Sequence, residues 1–156
     1  MKNQKLKVYL ESSFVSYFTG RETDDIKIAT DQAYTRRWMK EQAKFCDLFV
    51  SSIVREESSD DKDAEQVKKR LDFCDSLPYV EFDIKKAAAL AKRLMIGHAI
   101  PGKQTTDALH IAVASVAGMD FLLTWNCKHM ANPHTLPKTK SIVEKAGFRC
   151  PDIMTP

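Results

Sequence analysis

The sequence predicts an α/β fold in which strands and helices alternate along the chain. Short apolar runs, such as the one with alternating Leu6, Val8 and Leu10, recur between longer segments whose apolar residues follow helical spacing. Strands that alternate with helices are joined by crossover connections, so we expect a mostly parallel sheet that is covered by helices on both faces. No apolar stretch approaches the roughly 20 residues that a membrane span requires, and we expect no membrane partner.

Five segments have the apolar, β-branched or aromatic content of strands. They lie at 6–10, 47–51, 78–82 and 121–124, with a short last strand around 148–150. In parallel α/β sheets, ligands bind beyond the carboxyl ends of the strands. The residues that follow each strand are therefore the first candidates for a functional site.

The segments between these strands are predicted to be helical. They lie at 14–18, 28–44, 53–58, 64–76, 84–95, 105–117 and 136–146. We expect Ser12 or Ser13 to cap the first helix, because serine side chains accept hydrogen bonds from the free N–H groups of a helix start. In and just after the second helix, we expect Ala33, Trp38 and Phe45 to contact the core.

The composition excludes several classes of protein. The chain has 156 residues, and its 24 Lys and Arg against 21 Asp and Glu give a net charge of +3. These values fit one domain over 1–156 and rule out a histone-like body, an acidic tail or a low-complexity chain. The cysteines form no Cys-x-x-Cys pair and no secretory leader precedes the first strand, so we expect reduced thiols in a cytoplasmic protein. Cys127, His129 and His134 are close in sequence, but they are one ligand short of a zinc site.

Carboxylates and one amide lie near the ends of the predicted strands. Glu11 follows the first strand, and Asn126 follows the fourth. Glu56 and Glu57 lie in the first turns of the helix after the second strand, and Asp107 begins the helix that leads into the fourth. A parallel sheet would bring these side chains to one edge, where like charges raise each other's pKa. A divalent ion such as Mg²⁺ or Mn²⁺ would relieve that repulsion and activate water against a phosphodiester.

An ordinary structural explanation competes with this metal site. The chain has 21 acidic residues, so several would follow strands by chance. Glu56 and Glu57 would also be stabilised in a first helical turn by the helix dipole. Asp107 would do the same for its own helix, and Asn126 is a common turn residue.

Three blocks of the sequence resemble PIN-domain proteins, and most closely their VapC-like branch. The most specific block reads Thr-Asp-Ala-Leu-His-Ile-Ala at 106–112 and continues with Met-Asp-Phe-Leu-Leu-Thr-Trp-Asn at 119–126. The segment 8–13 resembles the opening strand and turn of that family, and 50–57 resembles its second block. The blocks occur in the family's order, and the resemblance covers about 5–155.

The resemblance implies a three-layer α/β/α PIN-like fold and metal-dependent cleavage of RNA, with Mg²⁺ or Mn²⁺ as the cofactor. Glu57 matches the family's helix glutamate, and its neighbour Glu56 is the second candidate for that position. Asp107 matches the acid of the Asp-Ala-Leu motif, and Asn126 matches a position where the family has Asp or Asn. Glu11 stands where the family usually has Asp, and its extra methylene extends the carboxylate by roughly 1.5 Å.

These observations lead to the hypothesis of an endoribonuclease that is the toxin of a VapC-like toxin–antitoxin pair. Glu11, Glu57 and Asp107 would bind the metal, and Asn126 would hydrogen-bond water or substrate in the same catalytic group. The residues expected to bind the RNA backbone are Ser13, Lys128 and His129. The alternative is a PIN-fold nucleic-acid-binding or regulatory module that has lost turnover at Glu11, because a misplacement of about 1 Å can cost on the order of 10²-fold in rate.

The resemblance also implies two protein partners, an antitoxin and a second copy of the chain. Four aromatic residues either form the homodimer surface or pack in the core: Tyr17, Phe18, Tyr34 and Trp38. His110 lies three residues after Asp107, and we expect it to make a hydrogen bond rather than to catalyse. We expect Trp125 to pack rather than to stack on a base.

Overall fold

The structure is a computed structural model that describes residues 4–156; residues 1–3 of the predicted 1–156 domain lie outside the described residues. The strands in this range are β1 (Leu6–Leu10), β2 (Cys46–Phe49), β3 (Phe121–Leu123) and β4 (Asp152–Met154). The α-helices in this range are α1 (Ser12–Thr19), α2 (Ile26–Glu41), α3 (Ser52–Ser58), α4 (Ala64–Asp75), α5 (Ile84–Ile96), α6 (Thr105–Val116) and α7 (Leu136–Lys145), with a 3-10 helix at Ala43–Phe45. None of the described helices is both long and apolar enough to cross a membrane.

The strands form one parallel sheet in the order β2-β1-β3-β4. Val8 of β1 pairs with Leu48 on one side and with Phe121 on the other, which makes β1 a central strand. Val8, Tyr9 and Leu10 are all buried, as expected for a parallel strand that helices cover on both faces. The predicted mostly parallel sheet is confirmed.

The helices pack as two groups, α1–α4 and α5–α7, and the sheet completes the three-layer α/β/α fold. In the first group, Phe14 of α1 contacts Phe18 and meets Trp38 of α2 edge-on. Phe18 also contacts Phe73 of α4, so aromatic side chains join three helices. In the second group, α5 packs against both α6 and α7.

Three of the four aromatic residues considered for a dimer surface have partners within the chain. Phe18 and Trp38 belong to the aromatic cluster around α1. Tyr17 meets Trp125 edge-on, with ring centroids 5.9 Å apart. Tyr34 is 53% exposed. Intramolecular packing therefore accounts for three of them, and Tyr34 alone of the four presents a largely free ring.

The strand predicted at 78–82 is wrong. This segment contributes an isolated bridge between Val50 and Tyr79. The contact consists of two hydrogen bonds, in which the carbonyl of Pro78 accepts the N–H of Val50 and the N–H of Val80 donates to the carbonyl of Val50. Pro78 has no N–H with which to extend the pairing. The chain therefore touches the edge of the sheet here without joining it as a strand.

The strand predicted around 148–150 is displaced to β4 at Asp152–Met154. The N–H of Phe148 bonds to the carbonyl of Val143, so these residues complete the end of α7 instead. Gly147, with φ of +90°, makes the turn that allows this bond. Pairing with β3 begins only after Pro151.

Local details of the first two helices also differ from expectation. The cap of α1 is the carboxylate of Glu11, which accepts the N–H of Ser13 at 3.0 Å, and neither serine takes that role. In α2, Trp38 packs on the core as predicted, but Ala33 is exposed and Phe45 is 61% exposed. The fully buried residues of α2 are polar instead: Gln32 and Thr35, each of which is hydrogen-bonded within the chain.

Candidate metal centre

Glu11 is placed at the carboxyl end of β1 and is only 5% exposed. Its Oε2 accepts hydrogen bonds from the N–H of Ser13 at 3.0 Å, from the hydroxyl of Ser13 and from the hydroxyl of Thr124 at 2.8 Å. Thr124 directly follows β3, the neighbour of β1, so the ends of two adjacent strands fix this carboxylate. No local sequence pattern indicates Thr124 as part of the site, because its contact with Glu11 spans 113 residues.

Glu57 lies in the last turn of α3, with its side chain 38% exposed. Its Oε1 accepts the hydroxyl of Ser12 at 2.6 Å and also contacts Nε2 of His110. Burial acts to raise the pKa of Glu57, but the hydrogen bonds from His110 and Ser12 outweigh it and hold the pKa below the ordinary value. The neighbouring Glu56 is exposed and uses its backbone carbonyl to end the helix.

His110 is fully buried in α6 beneath these two glutamates. Its Nε2 contacts Glu57 and lies 3.9 Å from Oε1 of Glu11, and its Nδ1 lies 2.7 Å from the hydroxyl of Tyr9. Burial acts to lower the pKa of His110, but the bond to Glu57 and the charge of Glu11 outweigh it, so the pKa is raised. For Tyr9, burial raises the pKa far above the ordinary value, and the phenol keeps its proton. The hydrogen bond expected for His110 is therefore present.

One ligand atom from each of Glu11, Glu57 and His110 lies within 4.8 Å of the other two. This group joins the end of β1, the end of α3 and the interior of α6. The sequence analysis proposed the two glutamates for a metal site and gave His110 a supporting contact. The signal for a closer role was the position of His110, one helical turn after Asp107.

Asp107 lies in the first turn of α6 and is partly buried. Nδ1 of His129 lies 3.2 Å from its Oδ2, close enough for an ion pair but without the alignment of a hydrogen bond, so Oδ2 is buried with no hydrogen-bond partner in residues 4–156. Burial raises the pKa of Asp107, and the charge of Glu11 adds to the rise, against the opposing effects of Asn126 and His129. Burial is the larger cause, and the smaller effect of Glu11 is repulsion of the kind expected for carboxylates at this edge.

The other predicted residues lie in the segments that follow β1 and β3, and they differ in how far their side chains are held by the chain itself. Asn126 is held in a turn, where its side-chain oxygen accepts the N–H of His129 at 3.0 Å. The hydroxyl of Ser13 accepts the N–H of Trp125 at 2.8 Å and donates to Glu11, so it connects two strand ends. Lys128 is exposed on the same loop as Asn126. Of these, Lys128 is the side chain best placed to reach an external ligand.

The donor chemistry of this edge fits a divalent cation. Carboxylate oxygens are the ligands that Mg²⁺ and Mn²⁺ prefer, whereas both ring nitrogens of His110 are already engaged, by Glu57 and by Tyr9. Two carboxylates lie together here, and the third, Asp107, has a buried oxygen that accepts no hydrogen bond from residues 4–156. A bound cation would compensate both the charge repulsion and that unpaired oxygen.

No protein-family profile matches the chain, and no curated protein matches its sequence. Among solved structures, two chains match its fold. One belongs to the crystal structure of VapBC2 from Rickettsia felis bound to a DNA fragment from their promoter. The match has a TM-score of 0.55 and 23% sequence identity, and it covers 79% of this chain and 90% of that chain. The chain has a VapC-like PIN fold. The fold predicted from the sequence resemblance is thereby confirmed.

Proposed function

We propose that the protein is a metal-dependent endoribonuclease that hydrolyses RNA phosphodiester bonds. The observation that carries the proposal is the convergence of Glu11, Glu57 and His110 at the carboxyl edge of a parallel sheet. Ligand sites of α/β sheets lie at this edge. The raised pKa of Asp107 beside the group supports a site that is built for a cation rather than for stability.

In this proposal, Glu11, Glu57 and Asp107 hold Mg²⁺ or Mn²⁺. The ion, when bound, supplies positive charge that lowers the pKa of water and stabilises the charge that develops on the phosphate. Glu57 remains ionised at neutral pH because its pKa is lowered. Asn126 orients water or a substrate oxygen, and the exposed Lys128 attracts the RNA backbone.

For the residues near Glu11, the proposal assigns two further roles. The hydroxyl of Ser13 donates to the Glu11 carboxylate and accepts the N–H of Trp125, so it positions both Glu11 and the loop after β3. Its effect on substrate binding is therefore exerted through the position of that loop. His129, whose Nδ1 lies 3.2 Å from Oδ2 of Asp107, would bind a phosphate oxygen of the RNA if Asp107 held a cation.

The decisive experiment is metal-dependent cleavage of a single-stranded RNA. Wild type should cleave in Mn²⁺, stop when a chelator is added and recover when Mn²⁺ is restored. Glu11→Gln should lose most of this activity, whereas Glu56→Gln, at an exposed neighbour of Glu57, should behave as wild type. Cleavage that survives chelation, or an active Glu11→Gln protein, would contradict the proposal.

A second candidate function is a PIN-fold module that binds nucleic acid or regulates without turnover. The observation that favours it is the Oε2 of Glu11, which already accepts three hydrogen bonds from the chain itself. Such a carboxylate has less capacity for a metal than a free one. The test is Glu11→Asp: if wild type neither binds Mn²⁺ nor cleaves RNA and Glu11→Asp does both, this second function is correct.

We further propose that the protein acts in the cytoplasm as the toxin of an antitoxin pair and forms a homodimer. The support is the shared fold with a chain of VapBC2, together with the exposed ring of Tyr34 on α2. Expression of wild type should arrest growth, and Asp107→Asn should not.

Light scattering of the purified chain should give twice the monomer mass, and a monomer at high micromolar concentration would refute the dimer.

A further inference from the structure

Helix α3 is held at both ends by one buried chain of hydrogen-bonding groups. At its start, the hydroxyl of Ser51 accepts the N–H of Val54 at 3.3 Å and caps the helix. The same hydroxyl lies 2.7 Å from the hydroxyl of Tyr9, which lies 2.7 Å from Nδ1 of His110. At the other end of the helix, Nε2 of His110 contacts Glu57. The chain and α3 together form a closed ring.

The polar side chains of this ring carry a desolvation penalty that apolar side chains in the same positions would not. Ser51, Tyr9 and His110 are each fully buried, and each must be hydrogen-bonded to avoid the penalty of an unpaired buried group. Apolar residues of similar volume would fill the same space without that requirement. The solvent-accessible member of the ring is the partly exposed carboxylate of Glu57, and the buried members can influence an external ligand only through the position of this carboxylate.

The two glutamates share a pattern in the use of their oxygens. Among residues 4–156, the hydrogen bonds to Glu57 end on Oε1, from Ser12 and His110. Those to Glu11 end on Oε2, and its Oε1 faces His110 at 3.9 Å. In each side chain the protein binds one oxygen and leaves the other for an outside ligand.

We infer that Tyr9, His110 and Ser51 are positioning residues that fix the Glu57 carboxylate toward Glu11, so that its second oxygen is presented to the cation. The inference rests on the proposed function for the identity of the ligand. Outer-shell hydrogen bonds of this kind orient metal ligands, and their loss typically lowers metal affinity by about 10–100-fold. It assigns a role to Tyr9 and Ser51, which no motif of the sequence singles out.

Two variants and a rescue test the inference. Tyr9→Phe removes one hydroxyl and keeps the ring in the core, and we expect its affinity for Mn²⁺, measured by calorimetry, to fall about tenfold. His110→Leu removes both bonds and should lose more, whereas His110→Gln keeps an N–H donor for Glu57 and should recover part of the loss. In RNA cleavage, kcat should fall while KM stays near the wild-type value, because the exposed Lys128 is untouched.

The matched control is Ser115→Ala, in the same helix as His110. Its hydroxyl is also buried, but it bonds to the carbonyl of Ile111 at 2.7 Å and does not reach Glu57. This variant should bind Mn²⁺ and cleave as wild type does. If Tyr9→Phe and His110→Leu also bind Mn²⁺ with wild-type affinity, the positioning role is refuted.

A second readout separates this inference from the proposed function. The Nε2 proton of His110 can be observed by nitrogen–proton NMR in the metal-free protein. If it bonds to Glu57, Glu57→Gln and Tyr9→Phe will both shift it, even in a protein that binds no Mn²⁺ and cleaves no RNA. In that case the proposed function fails and the positioning of Glu57 stands. A proton that neither variant shifts overturns the positioning role, whatever the activity.

Discussion

Asp120 lies at the amino end of the sheet and Asp107 lies near its carboxyl end, and the pKa values of their carboxyl groups are shifted in opposite directions. Asp120 directly precedes β3, and both of its oxygens are bonded: Oδ2 accepts the N–H of Lys7 at 2.8 Å, and Oδ1 pairs with Arg149. The bond from Lys7 is the main cause of its lowered pKa, and Arg149 adds to it. Asp107 has a raised pKa and a buried oxygen without a hydrogen bond among the described residues.

The difference shows which end of the sheet is built for stability. At the amino end, Asp120 joins strands, since its backbone N–H bonds to Lys7 and its carbonyl accepts the N–H of Asp152. At the carboxyl end, burial and the charge of Glu11 both raise the pKa of Asp107, whose Oδ2 accepts no hydrogen bond from the described residues, so Asp107 is an electrostatic cost to the fold. Electrostatic cost that the fold does not need is characteristic of functional sites.

The largest expected effect comes from Asp107→Asn. We expect RNA cleavage in Mn²⁺ to fall by at least about 100-fold, which is about 2.7 kcal/mol of transition-state stabilisation. Thermal stability should equal or exceed that of wild type, because the substitution removes a charge whose burial is unfavourable. Single-turnover cleavage and thermal melting measure the two effects on one preparation.

The control for this prediction is Asp120→Asn at the other end of the sheet. It should keep the cleavage rate of wild type per folded molecule and lose stability instead. If both substitutions reduce cleavage equally, or if Asp107→Asn is the less stable protein, then the contrast between the two ends of the sheet is wrong.

A smaller effect is expected from Glu57→Gln, which removes a charge but leaves a side chain of the same size. We expect affinity for Mn²⁺ to fall about 100-fold, because Glu57 is itself a proposed ligand and its loss must cost at least as much as the loss of the residues that position it. Glu56→Gln, the exposed neighbour, is the matched control and should bind Mn²⁺ as wild type does. An equal loss in both variants would mean that net charge, and not the placement of Glu57, determines the affinity.

The stability contributed by Asp120 should depend on pH in a defined direction. Because its pKa in the folded protein is below the ordinary value of 3.8, its contribution is complete above that value and is lost as the pH falls through the lower folded pKa. Asp120→Asn should therefore cost about 1 kcal/mol at neutral pH, and less in acid. Urea unfolding of both proteins in neutral and acidic buffer measures the change.

Asp107 supplies the opposite sign for the same experiment. Its pKa is raised in the folded state, so the folded protein binds this proton more tightly than the unfolded chain does. Its unfavourable effect is present at neutral pH and is relieved as the pH falls through the raised pKa.

The prediction for Asp120 has a clear contradicting outcome. If the difference in unfolding free energy between wild type and Asp120→Asn does not shrink in acid, the lowered pKa of Asp120 is wrong.

The sequence was sufficient for the layers of the fold and for the edge of the sheet that carries the acids. Strand β1 and the helix around Asp107 have local patterns that predict them, and a parallel sheet then places Glu11 near Asp107. The contacts that define the geometry are not local. Glu57 meets His110 across 53 residues, and Thr124 meets Glu11 across 113. No pattern in a short window contains such pairs.

Two errors along the chain have different origins. The segment 148–150 has the composition of a strand, but the N–H of Phe148 bonds to Val143 and completes α7. Glu11 became a helix cap although serines stand next to it, because its longer side chain folds back on Ser13 while Thr124 holds it from the next strand. At 148–150, the end of α7 takes the residues that composition assigns to a strand, whereas at Glu11 a contact from Thr124 beyond the next strand replaces the local preference for a serine cap.

The smallest expected effect concerns Lys128, which extends the contrast from the acids to the cations around them. Lys128 is exposed on the loop after β3, near Asn126, whereas Lys92 is exposed on α5. Lys128→Ala should raise KM for single-stranded RNA about threefold and reduce the salt dependence of binding by about one phosphate contact. Lys92→Ala removes the same charge and should change neither quantity. Equal effects of the two substitutions would mean that RNA responds to the net charge of +3 rather than to a cation beside the acids.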